Sequence, residues 1–186
     1  MGDARMQPFS PQRRDLLGGA AALTFLGGAG LLPLRAEANR LRLGQLAPPA
    51  QLLTLSGERI STHDLLGRVV ILTFWATYCV PCRQELPLLS TYAAQHAVDG
   101  LSVLGFCLDD ADQLPAVRAV ASTLSFPVGF LTEDSAPGYG RIWRMPVNFT
   151  IARDGSLVEN GWALKDSTWT PERLETVVAP LIAAGT

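Results

Sequence analysis

Val69-Val70-Ile71-Leu72-Thr73-Phe74-Trp75 runs into Ala76-Thr77-Tyr78-Cys79-Val80-Pro81-Cys82, and the junction of these two stretches decides the fold. The first is a continuous apolar, β-branched and aromatic run after Gly67-Arg68, the pattern of a parallel strand buried on both faces. It predicts the sheet centre. The second leads into a helix over Pro81 to His96, with Leu86, Leu88, Leu89 and Tyr92 at three-to-four spacing and a kink expected at Pro87, which lacks a backbone donor. Two cysteines therefore stand where a buried strand gives way to a helix N-terminus, a place where free N–H groups and the helix dipole stabilise an anion.

On the N-terminal side, Gln51 to Leu55 and Glu58 to Ile60 flank Ser56-Gly57 as a small hairpin, after an irregular lead-in from Asn39 to Pro49. On the other side the pattern predicts a strand over Leu101 to Leu108, a helix over Gln113 to Leu124, a strand over Phe126 to Leu131 and a short helical or turn segment from Pro137 to Trp143. Val147 to Ile151 and Leu157 to Trp162 read as antiparallel strands around Arg153-Asp154-Gly155-Ser156, because Asp-Gly tolerates the positive φ of a tight hairpin. Thr170-Pro171-Glu172 supplies an N-cap, a first-turn proline and a first-turn acid, and Leu174, Val177, Val178, Leu181 and Ile182 form one face up to Gly185. The order of elements describes an α/β domain with a mixed sheet and helices on both faces.

Composition narrows the function. The chain has 186 residues, 48% of them hydrophobic and 17% charged, with 15 Lys+Arg against 17 Asp+Glu. That is enough apolar material for one core and too little charge for a disordered chain. The basic residues are scattered, so no footprint for a nucleic-acid backbone is expected.

Leu16 to Leu34 carries no charge and follows Arg13-Arg14 directly. Five glycines and Pro33 make it a poor spanning helix. Ser10-Pro11-Gln12-Arg13-Arg14-Asp15-Leu16-Leu17 resembles a twin-arginine export signature, and Ala36-Glu37-Ala38 offers small residues for cleavage. We therefore expect residues 1–38 to be a signal peptide or an N-terminal anchor, and residues 39–186 to be the domain, in the periplasm and tethered to the inner membrane if the segment is retained. Removing residues 1–38 takes away four Arg and three acids and leaves a net charge of −3.

Exported compartments are oxidising, so Cys79 and Cys82 form either a structural disulfide or a redox centre supplied by a dedicated electron source. A structural bridge would close a four-residue ring and restrict the unfolded chain little. Zinc needs about four ligands, and only Cys107, His63 and His96 remain, without a second paired spacing. Context favours redox chemistry. Cys79 at the helix start should be the more acidic thiol and attack, Cys82 one turn later should resolve the mixed disulfide, and Pro81 fixes the turn between them. Two soft thiols also leave open a copper(I)-handling module, although no Met/His cluster accompanies them.

Trp75 to Pro87, with Cys79-Val80-Pro81-Cys82, Glu85 and Pro87 at their places, resembles the active-site segment of the TlpA/ResA-like branch of the thioredoxin superfamily. The family usually has Trp where this chain has Tyr78. The resemblance covers nearly all of residues 39–186: Gly67-Arg68 before the strand, an insert before Phe126-Pro127, Met145-Pro146-Val147 as a cis-proline loop, and the Asp154-Gly155 hairpin. It implies a thioredoxin fold, a central mixed β-sheet flanked by helices with an N-terminal hairpin and a βα insertion. It implies an extracytoplasmic protein disulfide reductase, commonly serving cytochrome c or copper-oxidase maturation, with no cofactor beyond a redox-active Cys79–Cys82 disulfide and no metal. Its partners would be a cysteine-containing client, such as an apocytochrome or an oxidase subunit, and a membrane thiol electron donor of the DsbD/CcdA type. The direction of electron flow follows from the reduction potential, so a net oxidant is the competing reading.

The resemblance also assigns roles. Glu85, three residues after Cys82, can be turned toward the thiols by helical geometry; on the residues alone it could equally be a solvated helix position, and the family places an acid beside the redox pair there. A partly desolvated carboxylate has a raised pKa and can exchange a proton with a thiol. Thr73 stands where cytosolic thioredoxins carry a buried acid. The backbone of Met145 would dock the client, Pro146 would keep metal from the thiols, and Trp75, Tyr78, Val80 and Pro81 would complete the client-binding face. Cys107 reads as a small hydrophobe at a strand end, Asp109, Asp110 and Asp112 as a solvated turn, and Trp143, Trp162 and Trp169 as packing or rim residues, with no stacking pattern that would suggest a nucleic acid or sugar platform.

Overall fold

The computed structural model describes residues 41–185; the expected signal or anchor over residues 1–38 lies outside them. The apolar run that opened the sequence reading is the middle strand of a five-stranded sheet. The strands are β1 (Gln51–Leu53), β2 (Arg59–Ser61), β3 (Val69–Trp75), β4 (Leu101–Cys107), β5 (Val128–Phe130), β6 (Val147–Ile151) and β7 (Leu157–Asn160). β1 and β2 form a separate antiparallel hairpin, and the main sheet has the order β5-β4-β3-β6-β7. β3 runs parallel to β4 and antiparallel to β6, so the sheet is mixed as expected.

All seven residues of β3 are buried because the sheet is covered on both faces. On one face Val69, Ile71 and Trp75 meet α1 (Val80–His96) and the C-terminal helix through Leu86, Leu89, Tyr92, Leu174, Val178 and Ile182. On the other, Val70, Leu72 and Phe74 pack with Phe106, Phe149, Tyr139 and the hairpin residue Leu52. Strand alternation sends successive side chains to opposite faces, so Thr73 must share the face of α1. The hairpin can lie against β5 because position 129 is glycine: a Cβ there would collide with the Leu53 carbonyl.

Several details depart from the sequence reading. The lead-in is not irregular throughout, since Gly44 N–H donates to Leu157 C=O and Leu157 N–H to Gln45 C=O, laying it along the edge of β7. α2 (Leu114–Ala121) stops short of Leu124, where the Ser122 and Thr123 hydroxyls take up the Ala119 and Val120 carbonyls. β7 ends at Asn160, whose side chain accepts from Trp162 N–H and starts a tight turn. α1 starts one residue early, at Val80, and runs through Pro87 to the expected His96. The C-terminal helix, α3, begins at the expected Thr170 cap and runs as Pro171–Arg173, a π turn at Leu174–Val178, and Ala179–Ala183. Pro180 removes one helical donor there, and a widened turn accommodates the loss. Arg153 then closes the helix end, donating to the Leu181 and Ile182 carbonyls as well as to those of Gly67 and Asp99.

Among the described residues, no helix is long and apolar enough to cross a membrane.

Candidate active site

β3 delivers the chain to its C-terminal edge, and α1 begins five residues later with Cys79 as its N-cap. Cys82 N–H points at Cys79 Sγ, 3.3 Å away, so the sulfur takes the place of the usual capping oxygen. A thiolate at that atom would face the free donors and positive end of the helix. The two sulfurs are bonded, with the Cα atoms 5.3 Å apart. Cys82 is fully enclosed, whereas Cys79 keeps 8% of its surface accessible. The rim around it is open: Tyr78 and Val80 are 69% and 56% exposed, and Pro81 is exposed too.

The Met145–Pro146 peptide is cis, and Met145 packs on the apolar cluster that contains both cysteines. Pro146 is buried beside it, at the start of β6. Trp75 does not belong to this rim. Its accessible surface is zero, because β3 residues at odd positions point under α1 and Trp75 lies opposite Cys107 in β4. Its expected contact with a client is therefore corrected to a place in the core.

One turn after Cys82 comes Glu85, on the buried stripe of α1 with Cys82, Leu86 and Leu89. It is 2% exposed, which removes the solvated-helix alternative. Its carboxylate accepts from Trp169 N–H at 2.8 Å, from Asn148 Nδ2 at 3.2 Å on each oxygen, and from the Thr73 hydroxyl at 3.4 Å. Burial outweighs these donors and the Arg173 guanidinium, and pushes the Glu85 carboxyl up from 4.5 to about 7. The site thus places a carboxyl poised near neutrality on the same helical stripe as Cys82.

The strand face beneath α1 and α3 carries, besides Thr73, polar residues that the sequence reading passed over. Thr73, Asn148, Thr150 and Glu159 are all buried, on β3, β6 and β7 in turn. Arg173 of α3 reaches Glu159 at 2.6 Å, lies 4.4 Å over the Trp169 ring, and donates to Thr168 C=O. The loop before α3 is thereby pinned so that the Trp169 peptide N–H faces Glu85.

Cys107 behaves as the packing residue expected: it is buried, its Sγ donates to Asp109 Oδ2, and burial with the neighbouring Asp109 charge pushes its thiol up to about 12. Asp109 is not a solvated turn residue. It accepts from Thr77 N–H at 2.7 Å and from the Thr77 hydroxyl at 2.5 Å, tying the loop before Cys79 to the end of β4. Partial burial opposes its ionisation, but these donors hold its carboxyl below the ordinary value. The tryptophans take the packing and rim places expected of them: Trp169 is core, and Trp143, 74% exposed, lies on the rim and stacks on Trp162 at 5.5 Å.

A family model for AhpC/TSA proteins matches residues 43–159. The chain belongs to the AhpC/TSA family. Its relatives include thiol-disulfide oxidoreductases: the ResA protein of Bacillus thuringiensis (strain Al Hakam) is 28% identical over 77% of this chain and 80% of its own length. The thioredoxin-like protein YneN of Bacillus subtilis is 44% identical over 46% of this chain and 51% of its own. A crystal structure from Chlorobium tepidum, described as a DsbE-type thiol:disulfide interchange protein, superposes with a TM-score of 0.62 at 27% identity, covering 79% of this chain and all of that one. This AhpC/TSA member is accordingly a TlpA/ResA-like thiol-disulfide oxidoreductase with a thioredoxin fold.

Proposed function

We propose that the protein is exported to the periplasm and reduces disulfides in cysteine-containing client proteins, as in the maturation of c-type cytochromes or copper oxidases. The observation that carries this reading is the capping sulfur of Cys79, partly open between exposed Tyr78 and Val80, with Cys82 sealed one turn behind it. In the reduced protein the Cys79 thiolate attacks a client disulfide, forming a Cys79–client bond and releasing one client thiolate. The Cys82 sulfur then attacks Cys79 Sγ, which restores the internal disulfide and releases the second client thiol. Two electrons pass to the client, and a membrane dithiol donor returns them by the reverse exchange. Glu85 accepts the proton that Cys82 must lose to attack. The Met145 backbone beside Pro146 pairs with the extended client. No group beyond the cysteine pair is required.

The test is a Cys82→Ala variant expressed with its own signal in a periplasm-bearing host, with mixed disulfides on Cys79 identified by mass spectrometry. Trapped client proteins carrying haem-attachment or copper-ligand cysteines are the expected result. A variant that stays in the cytoplasm, or that traps nothing under conditions where wild type is reduced, would overturn it.

A further inference from the structure

Asn148 is an unusual residue for its place. It sits in β6 opposite Thr73, is fully buried, and is flanked by Val147 and Phe149 on the apolar opposite face. A buried amide without partners is costly, so its hydrogen bonds identify its task. The Nδ2 atom has two hydrogens and three acceptors: Ser167 C=O at 2.8 Å and both Glu85 oxygens at 3.2 Å. One hydrogen therefore goes to Ser167 and the other is shared across the carboxylate. Turning the amide over would put its oxygen against a carbonyl and a carboxylate, all acceptors. The orientation is fixed.

Ser167 extends the arrangement, because its hydroxyl donates to Pro146 C=O at 2.9 Å. Asn148 thus joins the Glu85 carboxylate to the loop that carries the cis proline. We propose that Asn148 is the positioning residue for Glu85, holding its carboxylate in one orientation and setting the pH at which it serves the thiols. This rests on the proton role given to Glu85 above. The groups acting on Glu85 are few: besides Asn148, they are Thr73 from β3, the Trp169 peptide from the loop, and Arg173 from α3, the one full charge, itself paired with Glu159; Cys82 lies one turn earlier on its own helix. Asn148 is the only neutral side chain among them that contacts both carboxylate oxygens.

The test uses Asn148→Ala, with Asn148→Thr as the second variant if alanine leaves the protein unfolded, since threonine suits a strand but is too short to span both oxygens. In the oxidised protein neither active-site cysteine titrates, so the Glu85 carboxyl can be followed directly by carbon NMR. Loss of the donor should move its midpoint upward by about one pH step, a tenfold change in proton affinity. The rising limb of the pH profile for reduction of a model disulfide should move the same way. In a Glu85→Gln background, Asn148→Ala should produce no further shift of that profile. A folded Asn148 variant whose carboxyl midpoint matches wild type overturns the proposal, as does a rate loss that is equal at all pH values and persists in the Glu85→Gln background. If the carboxyl midpoint moves but Glu85→Gln leaves the exchange profile unchanged, positioning stands and the proton role of Glu85 falls.

Discussion

Glu85→Gln in the oxidised protein should reverse part of the usual penalty of mutating a buried residue, and the reversal should depend on pH. The folded-state value of Glu85, about 7, lies above the ordinary 4.5, so folding takes up a proton. Its contribution to stability is fully present below pH 4.5 and is lost as pH rises through about 7. At about 1.36 kcal/mol per pK step, the ionised carboxylate costs the fold roughly 3 kcal/mol at alkaline pH, of which about 2 to 3 kcal/mol is lost between pH 5 and 8.5. Glutamine has nearly the same volume but does not ionise. It does bring an amide donor to a site ringed by Trp169 N–H and Asn148 Nδ2, so at acid pH it should be destabilising by about 1–2 kcal/mol. Urea unfolding of both proteins at about pH 5 and pH 8.5 tests this, because groups common to both cancel in the difference. The stability of Glu85→Gln relative to wild type should rise by about 2 to 3 kcal/mol over that interval. A difference that does not change with pH would refute the account of Glu85 as a buried acid of raised pKa.

Alkylation of the reduced protein near neutral pH should label Cys79 before Cys82, because only Cys79 has accessible surface, and peptide mapping that finds Cys82 modified first would reverse their roles. Cys107 should stay unlabelled until the protein is denatured, since burial keeps its thiol protonated to about pH 12; Cys107→Ala should leave exchange rates near wild type. Asp109→Ala should lower stability by about 1–3 kcal/mol by stranding the Thr77 donors, with Thr77→Val costing less, as read by thermal unfolding. Arg13→Lys with Arg14→Lys should leave unprocessed protein in the cytoplasm, whereas normal periplasmic accumulation would assign export to the general secretory route.

What the sequence disclosed was whatever depends on side-chain class over a window. Val69 to Trp75 and Val147 to Ile151 are strands at the expected bounds, because a long apolar or alternating run between turn signals leaves little choice. Asp154-Gly155 turns with Gly155 at φ 84°, and Thr170 caps its helix. The missed features depend on which residues meet. Val147-Asn148-Phe149-Thr150-Ile151 already alternates apolar and polar, yet both faces of β6 are buried, so the polar pair needed inward partners. That alternation was a legible signal for Asn148. Trp169 offered none, since its contribution to Glu85 is a peptide N–H that any residue but proline supplies. Trp75 misled because an aromatic next to a redox motif suits either a docking face or the core, and strand parity decides between them.

The carboxylate of Glu85 draws one contact from each neighbouring element: Thr73 from β3, Asn148 from β6, the Trp169 peptide from the loop before α3, and the Arg173 charge from α3. Each favours the ionised form, and burial by those same elements disfavours it. Tightening the packing therefore strengthens both opposing effects, whereas deleting one donor leaves burial nearly intact and moves the balance in one direction only. It follows that single substitutions around Glu85 should raise its pKa more readily than lower it, and that the ion pair of Arg173 with Glu159 acts on the site chiefly by holding Trp169 in place. Glu159→Gln separates the two effects. Freed from its partner, Arg173 would lend more of its charge to Glu85 and lower the carboxyl midpoint; if it instead swings away from the Trp169 ring, the Trp169 donor loosens and the midpoint rises. The packing account requires the rise, and a lowered midpoint would show that the direct charge dominates.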